Sequence, residues 1–105
     1  MIRGAVYRVD LGAPRGHEQG GRRYGLVLSP SEMNWSVATI VPTSTSARPA
    51  TFRPELVIDG QQTLLLVDQI RTVDTAYLVG DPVDHLNHDE LTTVEQAVIH
   101  YLGLV

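Results

Sequence analysis

Residues 56 to 67 run as Leu56-Val57-Ile58-Asp59-Gly60-Gln61-Gln62-Thr63-Leu64-Leu65-Leu66-Val67. Asp-Gly is a dipeptide that forms tight two-residue turns, and here it stands between two apolar, β-prone runs. The stretch therefore predicts a β-hairpin that turns at Asp59 and Gly60. Because its second arm is the more continuously apolar of the two, we expect that arm to be a central strand and to hold much of the core.

Further strands are predicted on both sides of this hairpin. Alternating or β-branched runs favour strands at Ala5 to Asp10, Tyr24 to Ser29, Val37 to Val41, Asp68 to Val73 and Tyr77 to Val79. Thr43 follows the third strand, where the chain enters a loop. In the run from Asp68 to Val73, the alternation predicts that Gln69 and Arg71 face the same side.

A single helix is predicted at the C-terminal end. Asn87 followed by Glu90 has the spacing of a capping box, and Gly103 is typical of a helix end. Apolar residues recur between them at helical spacing and predict an amphipathic helix: Leu91, Val94, Val98, Tyr101 and Leu102. We expect Tyr101 in the core. Short strands followed by one helix predict a mainly β fold, a small curled barrel or half-barrel whose opening the C-terminal helix covers.

The chain has 105 residues and no cysteine. This length predicts one domain spanning residues 1–105. Without cysteine, disulfides and thiolate metal sites are excluded, and a reducing cytoplasm is the compartment that fits. Because no apolar run approaches the ~20 residues that cross a bilayer, we expect a soluble, cytoplasmic protein with neither a signal peptide nor a membrane partner.

Charge is distributed unevenly along the chain. The formal net charge of -4 would by itself disfavour a polyanionic partner. However, residues 1 to 53 contain every arginine except Arg71, whereas residues 54 to 105 contain most of the acidic residues. Lysine is absent, and guanidinium groups suit bidentate phosphate contacts and base stacking. A genomic bias towards arginine codons explains the missing lysine equally well.

The segment between the first two strands is Gly16-His17-Glu18-Gln19-Gly20-Gly21-Arg22-Arg23. Glycines let the backbone turn and expose its N–H groups, and two successive guanidinium groups offer paired donors to phosphate oxygens. The segment therefore predicts a phosphate-binding loop. Its one histidine, His17, has an ordinary pKa near ~6.5 that suits proton transfer at neutral pH, and the alternative is a histidine that simply faces solvent.

Short motifs follow one another along nearly the whole chain: Arg3-Gly4-x-Val6-Tyr7, Asp10-Leu11, the segment from Gly16 to Arg23, Val27-Leu28-Ser29, Pro42-Thr43-Ser44, Asp68-Gln69-Ile70-Arg71 and Leu102-Gly103-Leu104. In this order they resemble the MazF/PemK family of toxin endoribonucleases. The resemblance implies an SH3-like small barrel of the CcdB/PemK type, a homodimer, and neutralisation by a cognate antitoxin protein. It also implies sequence-specific cleavage of single-stranded RNA without metal or cofactor, by 2′-hydroxyl attack that leaves 2′,3′-cyclic phosphate and 5′-hydroxyl ends.

Position by position, the resemblance implies catalytic roles for Arg23 and Thr43. It further implies RNA contacts at Arg3 and Gln69, a site-shaping role for Glu18 and Gln19, and a position next to the site for Arg71. We count Arg22 and Ser44, which adjoin Arg23 and Thr43 in the sequence, as further candidate RNA-binding residues. We add His17 as a hypothetical proton acceptor, because an arginine pKa above about 12 makes a guanidinium group a poor base. The family usually has proline after its catalytic arginine, whereas this chain has Tyr24-Gly25, so the rigidity of this segment is in question.

Several alternatives stay open at the level of residues. Arg22 either contacts RNA or projects into solvent, and Trp35 either stacks on a base or packs against the barrel or across a dimer contact. His85 and His88 stand near acidic residues with metal-like spacing, but a solvated helix entry explains them better, and we expect no metal site.

Two other function classes compete with RNA cleavage. One is a non-cleaving CcdB-like toxin or a degenerate module that retains only antitoxin binding, and the other is an SH3-like peptide adaptor. The retained pair Arg23 and Thr43 favours cleavage over the first class. The aromatic residues are too scattered along the chain to suggest the polyproline groove of the second.

Overall fold

A computed structural model describes residues 1–13, 16, 21–31 and 36–104. It contains seven strands and one α-helix: β1 Ala5–Asp10, β2 Arg22–Val27, β3 Val37–Ser44, β4 Glu55–Ile58, β5 Gln61–Leu65, β6 Arg71–Asp74, β7 Leu78–His85 and α1 His88–Leu102. Two short 3₁₀ turns, Val67–Gln69 and Thr75–Tyr77, connect the later strands. The predicted mainly β fold with a C-terminal helix is therefore confirmed.

All strands belong to one antiparallel sheet in the order β4-β5-β3-β2-β1-β7, with β6 also paired to β3. One edge of β3 pairs with β2. The other edge pairs with β6 over its first half, and with β5 at Thr43 and Ser44. Because two strands share this edge in succession, the sheet curls into the expected half-barrel instead of extending as a flat layer.

The turn Val67–Gln69 carries the chain from β5 to β6 along that edge. Between the two ladders, the Leu66 N–H donates to the Pro42 carbonyl at 2.8 Å. The prediction of one continuous strand from residue 68 to residue 73 was therefore wrong for residues 68 to 70, which form this turn and the residue after it. Only from Arg71 onward does the chain have a strand partner, so Gln69 and Arg71 do not share a strand face.

The core has two parts, one on each side of the sheet. Alternation along β1 places Tyr7 and Val9 in the first part and Val6 in the second. The first part contains Ala5, Tyr7, Val9, Leu11, Val27, Ala38, Ile40 and Val73. The second contains Val6, Leu26, Val41, Ile58, Leu65, Val67 and the helical residue Val94. Helix α1 thus covers one side of the sheet.

The local signals at the hairpin and the helix are confirmed. Asp59 and Gly60 both have positive φ, 50° and 81°, as the tight turn requires. Asn87 and Glu90 make both hydrogen bonds of the capping box, and Gly103 ends α1 with φ 67°. Tyr101 was wrongly expected in the core, because it is 40% exposed and its ring meets Phe52 edge-on at 5.0 Å near the helix end.

Strand β2 begins earlier than predicted because Arg22 and Arg23 pair with Asp10 and Val9 of β1. At its centre, Gly25 is buried. A Cβ atom at Gly25 would lie 2.8 Å from Val9 Cγ2 and 3.2 Å from Ile40 Cδ1. Glycine is therefore required here so that the side chains of the first core part can close over β2.

The last strand, β7, is longer than the predicted strand at residues 77 to 79. It continues to His85 along the outer edge of β1, with a register shift between Val6 and Arg8 of β1. In the ranges that the structure describes, no helix has the length and apolar character of a membrane span.

Candidate functional site

Strands β2 and β3 separate at the point where two predicted catalytic residues stand. The last pair of their ladder is Gly25 with Pro42, and beyond it Thr43 pairs with β5. Side chains bridge the opening: Arg23 Nη1 donates to the Thr43 carbonyl at 3.2 Å, and Thr43 Oγ1 donates to the Tyr24 carbonyl at 2.9 Å. The fold therefore brings Arg23 and Thr43 together, although a long loop and most of two strands separate them in sequence.

A cavity of about 650 Å³ lies at this opening. Its described lining consists of Arg8, Val9, Asp10, Arg22, Arg23, Tyr24, Thr43, Ser44, Thr45, Gln61, Thr63 and Val79. Strand alternation explains where the cavity begins. Val6 and Leu26 lie under α1, and the next residues on the same strand faces, Arg8 and Tyr24, lie beyond the helix and line the cavity.

The described lining is dominated by positive charge. It holds the guanidinium groups of Arg8, Arg22 and Arg23, and Asp10 is the one carboxylate in it. Asp10 offsets little of this charge, because its distance to Arg22 Nε is 3.9 Å and the Arg22 side chain is 92% exposed. A concave surface with three guanidinium groups attracts an anion of the size of a nucleotide.

Tyr24 is fixed by a hydrogen bond to the tip of the β4–β5 hairpin. Its hydroxyl donates to Asp59 Oδ2 at 2.8 Å, and the Asp59 N–H donates to Asp84 Oδ2 at 2.8 Å. The bond to Asp59 is the main reason that the pKa of Tyr24 is raised, and partial burial and the Asp59 charge add to it while Arg8 opposes it. Tyr24 therefore ties β2 to β4 and β7 at the position where the family usually has proline.

Ser44 lines the same cavity, as expected for a residue next to Thr43. Its side chain is nearly buried, and Ser44 Oγ accepts hydrogen bonds from the N–H groups of Ser46 and Ala47 at 3.1 and 2.9 Å. The hydroxyl thus shapes the start of the loop after β3.

Three predicted RNA-binding residues do not line this cavity. Arg3 lies at a second cavity of about 550 Å³ beside α1, where its Nη2 is 2.6 Å from Glu95 Oε2 and its Nε donates to the Leu28 carbonyl. Gln69 lies in the turn after β5, and Arg71 stands opposite Ile40 at the start of β6. The sequence motif that contains Gln69 and Arg71 is therefore separate from the Arg23 and Thr43 opening.

The predicted residues His17, Glu18, Gln19 and Trp35 lie outside the described residues. The base of their loop is described: the Leu11 N–H donates to the Gly21 carbonyl at 2.9 Å, and the Gly21 N–H donates to the Gly12 carbonyl. The segment carrying His17, Glu18 and Gln19 thus leaves and rejoins the sheet directly beside Arg22. Within the described ranges, no cluster of His, Asp and Glu side chains could hold a metal ion.

Several lining residues were not predicted, notably Arg8, Tyr24, Gln61 and Thr63. Alternation along β1 could have identified Arg8, because it stands on the side of the strand opposite to the buried Tyr7 and Val9. Its cross-strand partner is Tyr24. The pair was missed because the sequence alone does not show which residue of β2 stands opposite Arg8, and Tyr24 was predicted only as the first residue of that strand.

Comparisons with known proteins agree with this architecture. The family model for PemK-like, MazF-like toxins of type II toxin–antitoxin systems matches residues 2–102. The chain is 64% identical to the candidate toxin Rv3098A of Mycobacterium tuberculosis, over 99% of each chain. It is 31% identical to endoribonuclease EndoA of Bacillus subtilis, over 98% of this chain and 95% of that protein. The crystal structure of MazF from Deinococcus radiodurans superposes with a TM-score of 0.86 at 27% identity, covering 98% of this chain and 96% of that one.

Proposed function

Because the chain belongs to the PemK-like, MazF-like toxins of type II toxin–antitoxin systems, we propose that it is a toxin that cleaves single-stranded RNA at a specific short sequence. The observation that carries the proposal is the contact between Arg23 and Thr43 at the mouth of an arginine-lined cavity. A guanidinium group and a hydroxyl group at one opening are the donors that a reacting phosphodiester needs. Because RNA is the proposed substrate, we propose that the protein acts in the cytoplasm.

The proposed reaction uses a nucleophile from the substrate. The 2′-oxygen bonds to the adjacent phosphorus, the bond from phosphorus to the 5′-oxygen breaks, and the products carry a 2′,3′-cyclic phosphate and a 5′-hydroxyl. The proton of the 2′-hydroxyl passes to a base, and the leaving 5′-oxygen takes up a proton. Because the nucleophile is internal, the reaction requires neither an attacking water nor a metal ion.

In this proposal Arg23 neutralises the charge that develops on the pentavalent phosphorus centre. Its guanidinium has five N–H donors, so one can remain on the Thr43 carbonyl while others bind phosphoryl oxygens. Rotation of the Thr43 hydroxyl away from the Tyr24 carbonyl lets Thr43 donate to a phosphoryl oxygen. His17 is the proposed proton acceptor, since its loop rejoins the sheet beside Arg22.

RNA binding is proposed to extend beyond the cavity. Arg22 and Ser44 line the cavity itself. Glu18 and Gln19, which shortly precede Arg22 in the sequence, are proposed to contribute to RNA binding as well. Contacts at the more distant Arg3, Gln69 and Arg71 then require an RNA strand longer than the cavity. Alanine at any of these three positions should raise KM and leave kcat unchanged, because such contacts bind the ground state and the transition state equally.

We also propose a homodimer and a cognate antitoxin as the protein partners. The end of α1 and the residues after it expose large apolar side chains, Tyr101 at 40%, Leu102 at 50% and Leu104 at 68%. Neighbouring exposed apolar groups of this kind mark protein contacts. Light scattering on the purified protein should give twice the monomer mass, and the protein encoded beside the toxin should abolish its RNA cleavage.

The test is cleavage of a long single-stranded RNA by the purified protein in EDTA, with the cut ends mapped. We expect cyclic phosphate and 5′-hydroxyl ends, and no cleavage where the nucleotide before the cut is 2′-deoxy. Arg23→Ala and Thr43→Val should each lower kcat about 10²–10³-fold, the loss seen when one charge-stabilising donor is removed. Arg48→Ala, an exposed arginine outside the cavity, is the matched control.

Persistent cleavage in both variants would refute the site. Complete inactivity of the wild type, with antitoxin binding intact, would favour the alternative of a toxin or antitoxin-binding module that does not cleave RNA.

A further inference from the structure

We propose that Arg8 binds a backbone phosphate of the RNA next to the linkage that is cleaved. The inference rests on the proposed function and adds a residue that lies between the sequence motifs, since Arg8 follows Arg3-Gly4-x-Val6-Tyr7 and precedes Asp10-Leu11. It concerns one guanidinium group on the wall of the cavity that contains Arg23 and Thr43.

Arg8 belongs to a row of residues that crosses four strands. It pairs with Val79 of β7 on one side and with Tyr24 of β2 on the other. The row continues to Thr43, whose hydroxyl donates to the Tyr24 carbonyl. All four residues line the cavity, so the row leads directly from Arg8 to the proposed cleavage site.

The distance along this row suits a neighbouring nucleotide. Arg8 and Tyr24 are partners on adjacent strands about 4.8 Å apart, and the Thr43 hydroxyl lies 2.9 Å from the Tyr24 carbonyl, so the backbones at Arg8 and Thr43 are separated by roughly 10 Å. A phosphate held by Arg23 near Thr43 and a second phosphate held by Arg8 would therefore belong to linkages close together on one strand of RNA. Val79, which is 51% exposed beyond Arg8, offers an apolar edge for the next sugar or base.

Arg8 is also chemically available, unlike Arg3 and Arg53, whose guanidinium groups are paired within the protein. Arg3 is paired with Glu95 and Arg53 with Asp68, at 2.6 and 2.8 Å. Arg8 is exposed, and among the described residues no hydrogen bond or ion pair engages its guanidinium. Binding a phosphate there breaks no internal contact, so the full interaction is available to the ligand.

The neighbouring Tyr24 keeps the Arg8 side of the cavity open. Its hydroxyl donates to Asp59, and this bond holds the ring against the hairpin tip so that it does not rotate freely into the cavity. Asp59 accepts this bond on the hairpin, and no carboxylate other than Asp10 stands among the described lining residues. Asp10 is therefore the one carboxylate of the described lining that competes with an incoming phosphate for Arg8.

The experiment measures binding separately from cleavage. The probe is a short, fluorescein-labelled 2′-O-methyl RNA of randomised sequence, which keeps the phosphates but cannot supply the nucleophile. Fluorescence anisotropy of the full-length wild type, Arg8→Ala, Arg8→Lys and the matched control Arg48→Ala is recorded over a series of salt concentrations. Cleavage kinetics on unmodified RNA are measured for the same four proteins.

For Arg8→Ala we expect about tenfold weaker binding at low salt, and a slope of log K against log salt that is smaller in magnitude by about 0.7, the value for one phosphate contact with a single strand. Arg8→Lys should recover most of the slope, because the charge is kept. In cleavage, Arg8→Ala should raise KM with little change in kcat, because this contact is made equally in the ground state and the transition state.

An unchanged salt slope in Arg8→Ala, matching Arg48→Ala while the wild type still cleaves RNA, overturns the assignment of Arg8 alone. A wild type that neither binds the probe nor cleaves RNA overturns the proposed function, and the Arg8 assignment with it.

Discussion

Gly25→Ala should destabilise the protein even though the backbone at Gly25 is compatible with alanine. The φ angle of Gly25 is not positive, so the substitution causes no backbone strain. The cost comes from packing, because the new Cβ would lie 2.8 Å from Val9 Cγ2 and 3.2 Å from Ile40 Cδ1. Isoleucine can move its terminal methyl, whereas the valine methyl is attached at a stiff β-branch and cannot rotate away without changing χ1.

The magnitude follows from two opposing contributions. Overpacking of this kind costs about 1–3 kcal/mol, and replacing glycine by alanine recovers about 0.4–1 kcal/mol by restricting the unfolded chain. The net loss should be about 1–2 kcal/mol, which corresponds to a fall in Tm of roughly 5–15 °C for a domain of this size. Thermal and urea unfolding followed by circular dichroism measure this change.

A double-mutant cycle identifies the cause. In a Val9→Ala background the offending methyl is absent, so Gly25→Ala should cost at least about 1 kcal/mol less than in the wild type. If the losses from Gly25→Ala and Val9→Ala simply add, the contact with Val9 is not the source of the destabilisation and the packing argument is wrong.

Three further predictions concern stability. Asp68 is paired with Arg53 through two hydrogen bonds that lower its pKa, so the stability advantage of the wild type over Asp68→Asn should be complete above the ordinary value of 3.8 and shrink as the pH falls below it, as measured by urea unfolding. The raised pKa of Tyr24 has the opposite effect: the stability advantage of the wild type over Tyr24→Phe should be complete below pH 10.0 and decline as the pH rises through the raised pKa. An equal loss of stability in Tyr24→Phe at every pH would contradict this. Asn87→Ala should cost about 0.5–2 kcal/mol by removing the cap of α1, and Asn87→Asp should restore most of it in thermal unfolding.

The elements that local sequence signals define were predictable. The turn at Asp59 and Gly60 and the cap at Asn87 depend on residues a few positions apart, and both were found where the sequence indicated. The strand prediction for residues 68 to 70 was wrong because their alternation is typical of a strand. In the structure the chain turns there between β5 and β6, the two strands that pair with the same edge of β3. No local pattern reports that tertiary constraint.

The candidate site was predictable only in part. The resemblance to a known family singled out Arg23 and Thr43, and the fold brings them into contact. Arg8 and Tyr24 were not predicted because they reach the cavity as cross-strand partners, and the sequence alone does not give the register between β1 and β2. The anchoring of Tyr24 to Asp59 also could not be anticipated, since it joins residues that are far apart in the sequence.

Because one edge of β3 pairs with both β5 and β6, the sheet can be completed only late in synthesis. Arg23 and Thr43 are synthesised early, but the second edge of β3 must wait for residues 61 to 74, and Val94 comes later still. Contacts so distant in sequence form late and slowly. A nascent chain therefore cannot complete the sheet around Arg23 and Thr43 until most of the polypeptide has left the ribosome.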